Sequence, residues 1–341
     1  MIVGANGVVL GSGHTQQVGK SHAEISALAD AKLKGHCVIG ATMYVTLEPC
    51  AHVGRTGPCA NAIVEAGIAK VVASIGDPNP KVSGKGFEIL RAAGVNVEIG
   101  AGAMKAKNLN LGFFSRFIRQ RPWIRLKIAS SLDGRTALLN DQSKWITGNS
   151  ARQDGHVWRG RASAIMTGIG TILKDDPRLD CRFGSVTEQP MLAIIDSQLR
   201  TPSSAKIFDT ERKTIIYGAQ IDRERQKTLE SKGALVIYLP DRNSIQPSVD
   251  LKAVMTDLAQ REINELHIEA GAKLNGSLIK NNLVDEYLIY IAPKIIGPGY
   301  PFAQLDALQD LSELSELQFI SCELIGQDLR VIAREPGRTE F

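Results

Sequence analysis

His22, Cys50 and Cys59 constrain this chain more than any other residues, because a metal site built from them makes three separate segments meet at one point. Histidine nitrogen and cysteine sulfur are donors that zinc prefers. Three protein ligands leave the fourth tetrahedral position open to water, which marks a reacting site rather than a closed structural one. The first segment is Ser21-His22-Ala23-Glu24, ahead of the apolar-periodic residues Ile25, Leu28 and Ala29; the second is Pro49-Cys50, after the β-rich run 43–47; the third is Cys59, opening another helical stretch. Ser21 to Glu24 also reads as a capping box, S-x-x-E, in which Glu24 only accepts the Ser21 backbone N–H. Both readings put the segment at a helix N-terminus, and the two cysteines favour zinc. His52 competes as a ligand, or serves as a substrate contact or loop residue, whereas His36 has no such context and reads as a surface residue.

With 341 residues the chain has room for about two domains of ~150 residues each. Residues 1–114 alternate strands (7–10, 42–47, 70–75, 95–99) with helices (22–33, 58–66, 86–93, 103–113), which implies a sheet with helices on both faces. Gly67 and Gly94 stand where helix C-caps belong. The basic stretch 115–122 (S-R-F-I-R-Q-R-P) reads as the connection to a second α/β domain, 123–341. Strands are expected there near 124–129, 164–167, 191–195, 213–217, 234–238, 266–269 and 286–291. A hairpin of 318–325 and 328–333 about Gly326-Gln327 suggests an antiparallel edge. No apolar run approaches the ~20 residues of a membrane span, and the N-terminus lacks the basic and apolar regions of an export signal. Five cysteines is an odd number, so Cys37, Cys181 and Cys322 read as reduced thiols of a cytoplasmic protein. The net charge of +4 carries no dense basic block, which argues against a nucleic-acid partner and suits small anionic substrates.

Zinc nucleobase deaminases carry H-x-E followed by P-C-x-x-C, and their glutamate moves protons without binding metal. His22-Ala23-Glu24 and Pro49-Cys50 match that pattern, but eight residues rather than two separate Cys50 from Cys59. With zinc lowering the pKa of a water, Glu24 would take the water's proton and hand it to the leaving ammonia. The longer motifs narrow the resemblance. Residues 45–59 (V-T-L-E-P-C-A-H-V-G-R-T-G-P-C) and 77–86 (D-P-N-P-K-V-S-G-K-G) resemble the deaminase half of the bifunctional riboflavin-biosynthesis deaminase/reductase family, which has the eight-residue gap. Residues 126–137, 143–148, 168–179 and 268–271 extend the resemblance, in order, over nearly the whole chain.

The resemblance implies a cytidine-deaminase-like α/β/α domain holding one zinc, followed by a dihydrofolate-reductase-like α/β domain using NADPH, in a homodimer. No G-x-G-x-x-G follows a strand here with an acidic residue ~20 positions on, so the Rossmann reading fails. Matching motif positions puts NADPH against Ser130, Trp145, Thr171, Asp175, Ser197 and the strand-to-helix turn Gly271, Ala272 and Lys273. It puts substrate against Lys127, Ser143, Arg159, Leu179, Arg182 and Glu269, and the pyrimidine against His14 and Asn79. Arginine suits the phosphate oxygens, while Lys127 and Glu269 would orient the opened ribose for hydride delivery, their plain alternative being a structural ion pair. The chain opens directly at Met1-Ile2-Val3, without the leading helix and N-P-x-V-G of the family, so a missing start is the expectation. A nucleic-acid deaminase would leave the second domain unexplained and would want an aromatic-lined groove, yet only 5% of residues are aromatic. A structural zinc module would need a fourth protein ligand, for which only His52 stands nearby.

Overall fold

Short apolar strands build the first sheet, and its parallel half carries the metal-ligand loops. The computed structural model describes residues 1–17, 19–51, 57–183 and 188–341. The chain divides into two units, Met1–Ile118 and Arg119–Phe341. The first unit contains β1 (Ile2–Val3), β2 (Val9–Gly11), α1 (Ala23–Leu33), β3 (Thr42–Val45), α2 (Cys59–Glu65), β4 (Lys70–Ala73), α3 (Lys85–Ala92), β5 (Asn96–Ile99), α4 (Ala103–Leu109) and α5 (Leu111–Phe114). The strands run in the order β2-β1-β3-β4-β5; β1 is antiparallel to both of its neighbours, and β3, β4 and β5 are parallel. Ile2, Met43, Val71, Ile63 and Leu90 close the core, with Ala27 and Ala31 of α1 lying close against it. Gly67 and Gly94 take φ of +74° and +81° just past α2 and α3, as the C-cap reading requires. The single helix expected over 103–113 is interrupted at Asn110, whose side chain turns back to the Ala106 carbonyl.

The second unit begins with β6 (Trp123–Ser131), β7 (Arg135–Leu138), α6 (Asn149–Arg161), β8 (Ala164–Gly168), α7 (Ile169–Asp175), β9 (Met191–Ile195) and β10 (Thr214–Gly218). It continues with α8 (Arg223–Glu230), β11 (Ala234–Tyr238), α9 (Leu251–Gln260), β12 (Glu265–Ile268), α10 (Ala272–Lys280), β13 (Glu286–Ala292), β14 (Gly299–Pro301), β15 (Gln318–Ile325) and β16 (Asp328–Arg334). Nine strands form one sheet, β11-β10-β9-β8-β12-β6-β13-β16-β15. The seven strands from β11 to β13 are parallel, and β16 and β15 pair antiparallel as the expected edge hairpin. Runs such as Ala-Ile-Met-Thr and Met-Leu-Ala-Ile are buried residue after residue, because helices cover both faces of a parallel sheet. β7 and β14 form a separate two-stranded ribbon that the alternation pattern does not announce.

The stretch read as a connection is itself ordered. Residues Ser115–Arg119 continue α5 as a π-helical turn. Arg121 then reaches the fully buried Asp285 at 2.5 Å and Arg119 reaches it at 3.3 Å, with Arg338 a third partner at 2.9 Å. A buried carboxylate needs such partners, so these arginines belong to the packing of the second unit.

Candidate active sites

The ligand loops follow from where secondary structure stops. His22 is the N-cap of α1 in extended conformation, Cys50 follows β3, and Cys59 opens α2 behind Pro58. His22 Nδ1 lies 3.5 Å from Cys50 Sγ and 3.4 Å from Cys59 Sγ. Ligands about 2.3 Å (sulfur) and about 2.0–2.1 Å (nitrogen) from a tetrahedral zinc are about 3.6 Å apart, so donor types and spacing both fit the ion. All three donor atoms lie within 4.8 Å of one another. The two thiols also act on each other. Hydrogen bonding with Cys59 draws the Cys50 thiol down to about 5, and the Cys59 N–H donates to Cys50 Sγ at 3.3 Å. The Cys59 thiol is held far above its ordinary range by sharing its proton with Cys50, by burial and by Glu24. A divalent ion between the sulfurs relieves that crowding.

Glu24 lies in the first turn of α1, only 9% exposed, and burial raises its pKa. The capping box is not formed: His22, not Ser21, is the N-cap, and its side chain makes no capping hydrogen bond. Asn79 is half-buried, its N–H donating to Asp77 Oδ1 at 2.7 Å and its Oδ1 accepting from the Lys81 N–H. Burial, then Glu48 and Cys50, push Asp77 up to about 6. His14 is exposed on the loop before α1, and His36 is exposed with Nδ1 2.7 Å from the Leu10 carbonyl. His52 lies outside the described residues. Sequence reasoning passed over Glu48, a buried carboxylate two residues before Cys50. Its only signal is an acidic residue ending an otherwise apolar run, V-T-L-E-P-C.

In the second unit the candidate residues gather at the C-terminal ends of parallel strands, where ligands of open α/β sheets bind. Ser130 is buried near the end of β6, Thr171 and Asp175 lie on α7 after β8, Ser197 follows β9, and Gly271 follows β12. Gly271 is the N-cap of α10, with open space where a Cβ would stand, so the N–H groups of Ala272 and Lys273 begin a helix that an anion can approach. Trp145 is exposed beneath the Arg152 guanidinium at 4.6 Å, and Lys294 Nζ holds the Trp145 and Ile146 carbonyls. Lys144, beside the half-buried Ser143, reaches Asp175 at 3.5 Å and so ties two candidate cofactor segments together.

Glu269 pairs bidentately with Arg159 through its Nε and Nη2 atoms, and Arg159 Nη1 donates to the Asp180 carbonyl at 3.0 Å. The tight ion pair is thus Arg159–Glu269, where sequence alone offered Lys127 and Glu269. Burial pushes the Glu269 carboxyl up, but Arg159 holds it well below the usual carboxylate range, with His267 and Lys127 adding. Burial lowers the Lys127 ammonium, which faces both Glu269 and Arg159. His267 Nε2 is 3.4 Å from Glu269 Oε1, yet neither ring nitrogen makes a well-aligned hydrogen bond. Leu179 is buried with φ of +52°, a backbone state that clusters at ligand sites, and its carbonyl accepts from Arg212. Arg182 is half-exposed, 3.3 Å from Asp180 and 3.3 Å from His156 Nε2.

Two family models match the chain: the RibD C-terminal domain over residues 122–331, and the cytidine and deoxycytidylate deaminase zinc-binding region over residues 1–75. The riboflavin biosynthesis protein RibD of Aquifex aeolicus is 39% identical over 328 residues, covering 96% of this chain and 89% of the relative. Among solved structures, RibD of Acinetobacter baumannii is similar with a TM-score of 0.87 at 37% identity, covering 98% of this chain and 90% of that one. A diaminohydroxyphosphoribosylaminopyrimidine deaminase/5-amino-6-(5-phosphoribosylamino)uracil reductase of Thermotoga maritima gives 0.85 at 30% identity with the same coverage.

Proposed function

We propose a residue-level account of two activities for this chain, which belongs to the RibD riboflavin-biosynthesis family. The protein is a bifunctional enzyme, a zinc deaminase joined to an NADPH-dependent reductase. It deaminates 2,5-diamino-6-(5-phosphoribosylamino)pyrimidin-4-one and then reduces the ribosyl side chain to ribityl. Its first part is cytidine-deaminase-like and its second dihydrofolate-reductase-like. We assign the deaminase to residues 1–114 and the reductase to 123–341, joined through 115–122; the spans of the two family models support this.

In the deaminase, His22, Cys50 and Cys59 hold zinc, and the convergence of these three donors beside the buried Glu24 is the observation that carries the reading. Bound zinc supplies Lewis acidity that brings the pKa of a water toward neutrality. With zinc held there, Glu24 would accept a proton from the attacking water as its oxygen bonds the amino-bearing ring carbon, and would return it to the amino nitrogen as the carbon–nitrogen bond breaks and ammonia leaves. Asn79 and His14 hold the pyrimidine. In the reductase, NADPH supplies the hydride when bound. Gly271, Ala272 and Lys273 receive its diphosphate, and Ser130, Trp145, Thr171, Asp175 and Ser197 line its remainder. Arg182 and Arg159 face the phosphoribosyl group with Ser143 and Leu179, while Lys127 and Glu269 orient the ribose chain.

The partners in this reading are phosphoribosylaminopyrimidines, with no nucleic acid and no membrane, in the cytoplasm. Among the described residues no helix is long and apolar enough to cross a membrane. A homodimer is supported by β15, an eight-residue edge strand exposing Phe319 and Leu324, and light scattering of the purified chain tests it. The test of the central assignment is Glu24→Gln. Ammonia release should fall by about 10²–10⁴-fold, with zinc content and NADPH oxidation on the deaminated substrate retained; unchanged ammonia release would remove Glu24 from the mechanism.

A further inference from the structure

Glu48 joins the metal-ligand loop to the loop that carries Asn79. Its side chain is 3% exposed, and both oxygens are occupied by backbone donors from the segment between β4 and the first turn of α3. Oε2 accepts from the Asp77 N–H at 3.2 Å and the Gly84 N–H at 3.0 Å, while Oε1 accepts from Gly86 at 3.0 Å and Phe87 at 3.4 Å. The last two are first-turn donors of α3, whose own N-cap, Gly84, has no side chain to offer. Glu48 therefore caps that helix from 38 residues away along the chain.

The contact is close enough to set a distance. A Cβ on Gly86 would stand 2.0 Å from the Pro49 carbonyl oxygen, so backbone meets backbone one residue from the ligand Cys50. At the other end of the clasped segment, Asp77 fixes the Asn79 N–H, and the Asn79 carbonyl accepts from Val82 and Ser83. One carboxylate thus spans Cys50 on one side and the Asp77–Asn79 turn on the other.

We propose that Glu48 is a positioning residue for deamination: it sets the spacing between the metal centre and the loop that holds the pyrimidine. This rests on the deaminase reading above. Glutamine at this position keeps the shape but turns an NH2 group toward two backbone N–H donors, so half of the clasp is lost.

The experiment measures ammonia release, zinc stoichiometry and NADPH oxidation for the wild type, Glu48→Gln, Glu48→Asp, Asn79→Ala and the double variant Glu48→Gln/Asn79→Ala. Glu48→Gln should keep its zinc and its reductase kinetics while kcat/KM for ammonia release falls by about 10- to 100-fold, mainly through KM. Glu48→Asp, which keeps both acceptors on a shorter stem, should recover part of the loss. Adding Asn79→Ala to Glu48→Gln should cost much less than Asn79→Ala alone, because both act through one loop. An unchanged KM, loss of zinc or of folded protein in Glu48→Gln, or additive effects of the two substitutions would each overturn the proposal. A wild-type chain that released no ammonia would instead overturn the deaminase reading on which it stands.

Discussion

Glu24 and Glu269 are both carboxylates taken out of water, and their surroundings push them in opposite directions. Burial raises Glu24, while the Arg159 guanidinium, with Lys127 near, holds Glu269 well below the usual range. A carboxyl that holds its proton more readily and a fixed anion are thereby separated by environment rather than by residue type, which suits the proton-carrying role proposed for Glu24. The same arginine acts on His156 of α6, which is 7% exposed. Burial, then Arg159 and Arg182, lower its pKa from the ordinary 6.5 to about 4. Between those values the unfolded chain binds a proton that the folded chain refuses. The stability at stake is complete above 6.5 and declines as the pH falls toward 4. After solvent screening, about 1–2 kcal/mol is expected. Urea unfolding at neutral and mildly acidic pH checks this against His156→Asn, which keeps an acceptor for the Arg182 N–H. The wild type should lose that much more stability on acidification, and equal losses in both proteins would contradict the assignment.

At the scale of elements, α10 shows how packing fixes a helix whose start is proposed to receive the NADPH diphosphate. Gly276 in its middle costs about 1 kcal/mol relative to alanine by propensity alone. Yet a Cβ there would stand 2.0 Å from the Gln304 carbonyl oxygen, and Gln304 N–H also binds the Ala272 carbonyl. The clash wins: Gly276→Ala should destabilise the protein by about 1–3 kcal/mol and raise KM for NADPH by displacing the turn at Gly271. A thermal melt and NADPH titration check both; a stabilised variant with unchanged KM would show that the Gln304 segment simply yields. Elements of this kind were partly legible in the sequence. Period and chain punctuation gave most strands of the two larger sheets, the edge hairpin and the caps at Gly67 and Gly94, since each depends on neighbouring residues. The zinc cluster was legible because its donor types have few other uses in that order. What pairs across long separations was not. Arg159 meets Glu269 across 110 positions, Glu48 meets Gly86 across 38, and the β7–β14 ribbon joins two short, unpatterned runs.

The whole molecule joins two chemistries in sequence, with the candidate residues for each in a separate unit. The metal donors and Glu24 all fall in the unit Met1–Ile118, and the NADPH and ribose candidates all fall in Arg119–Phe341. Each unit has its own sheet and its own core, so either site can be damaged with the other intact. In the family to which the chain belongs the reductase acts on what the deaminase has made, so ammonia release comes first. The most direct test supplies the purified chain with the diamino-pyrimidine phosphate and follows ammonia release and NADPH oxidation separately, with and without NADPH. Ammonia should appear without NADPH, and added NADPH should then be oxidised, one equivalent for each ammonia released. NADPH oxidation without ammonia, or no ammonia under either condition, would contradict the account.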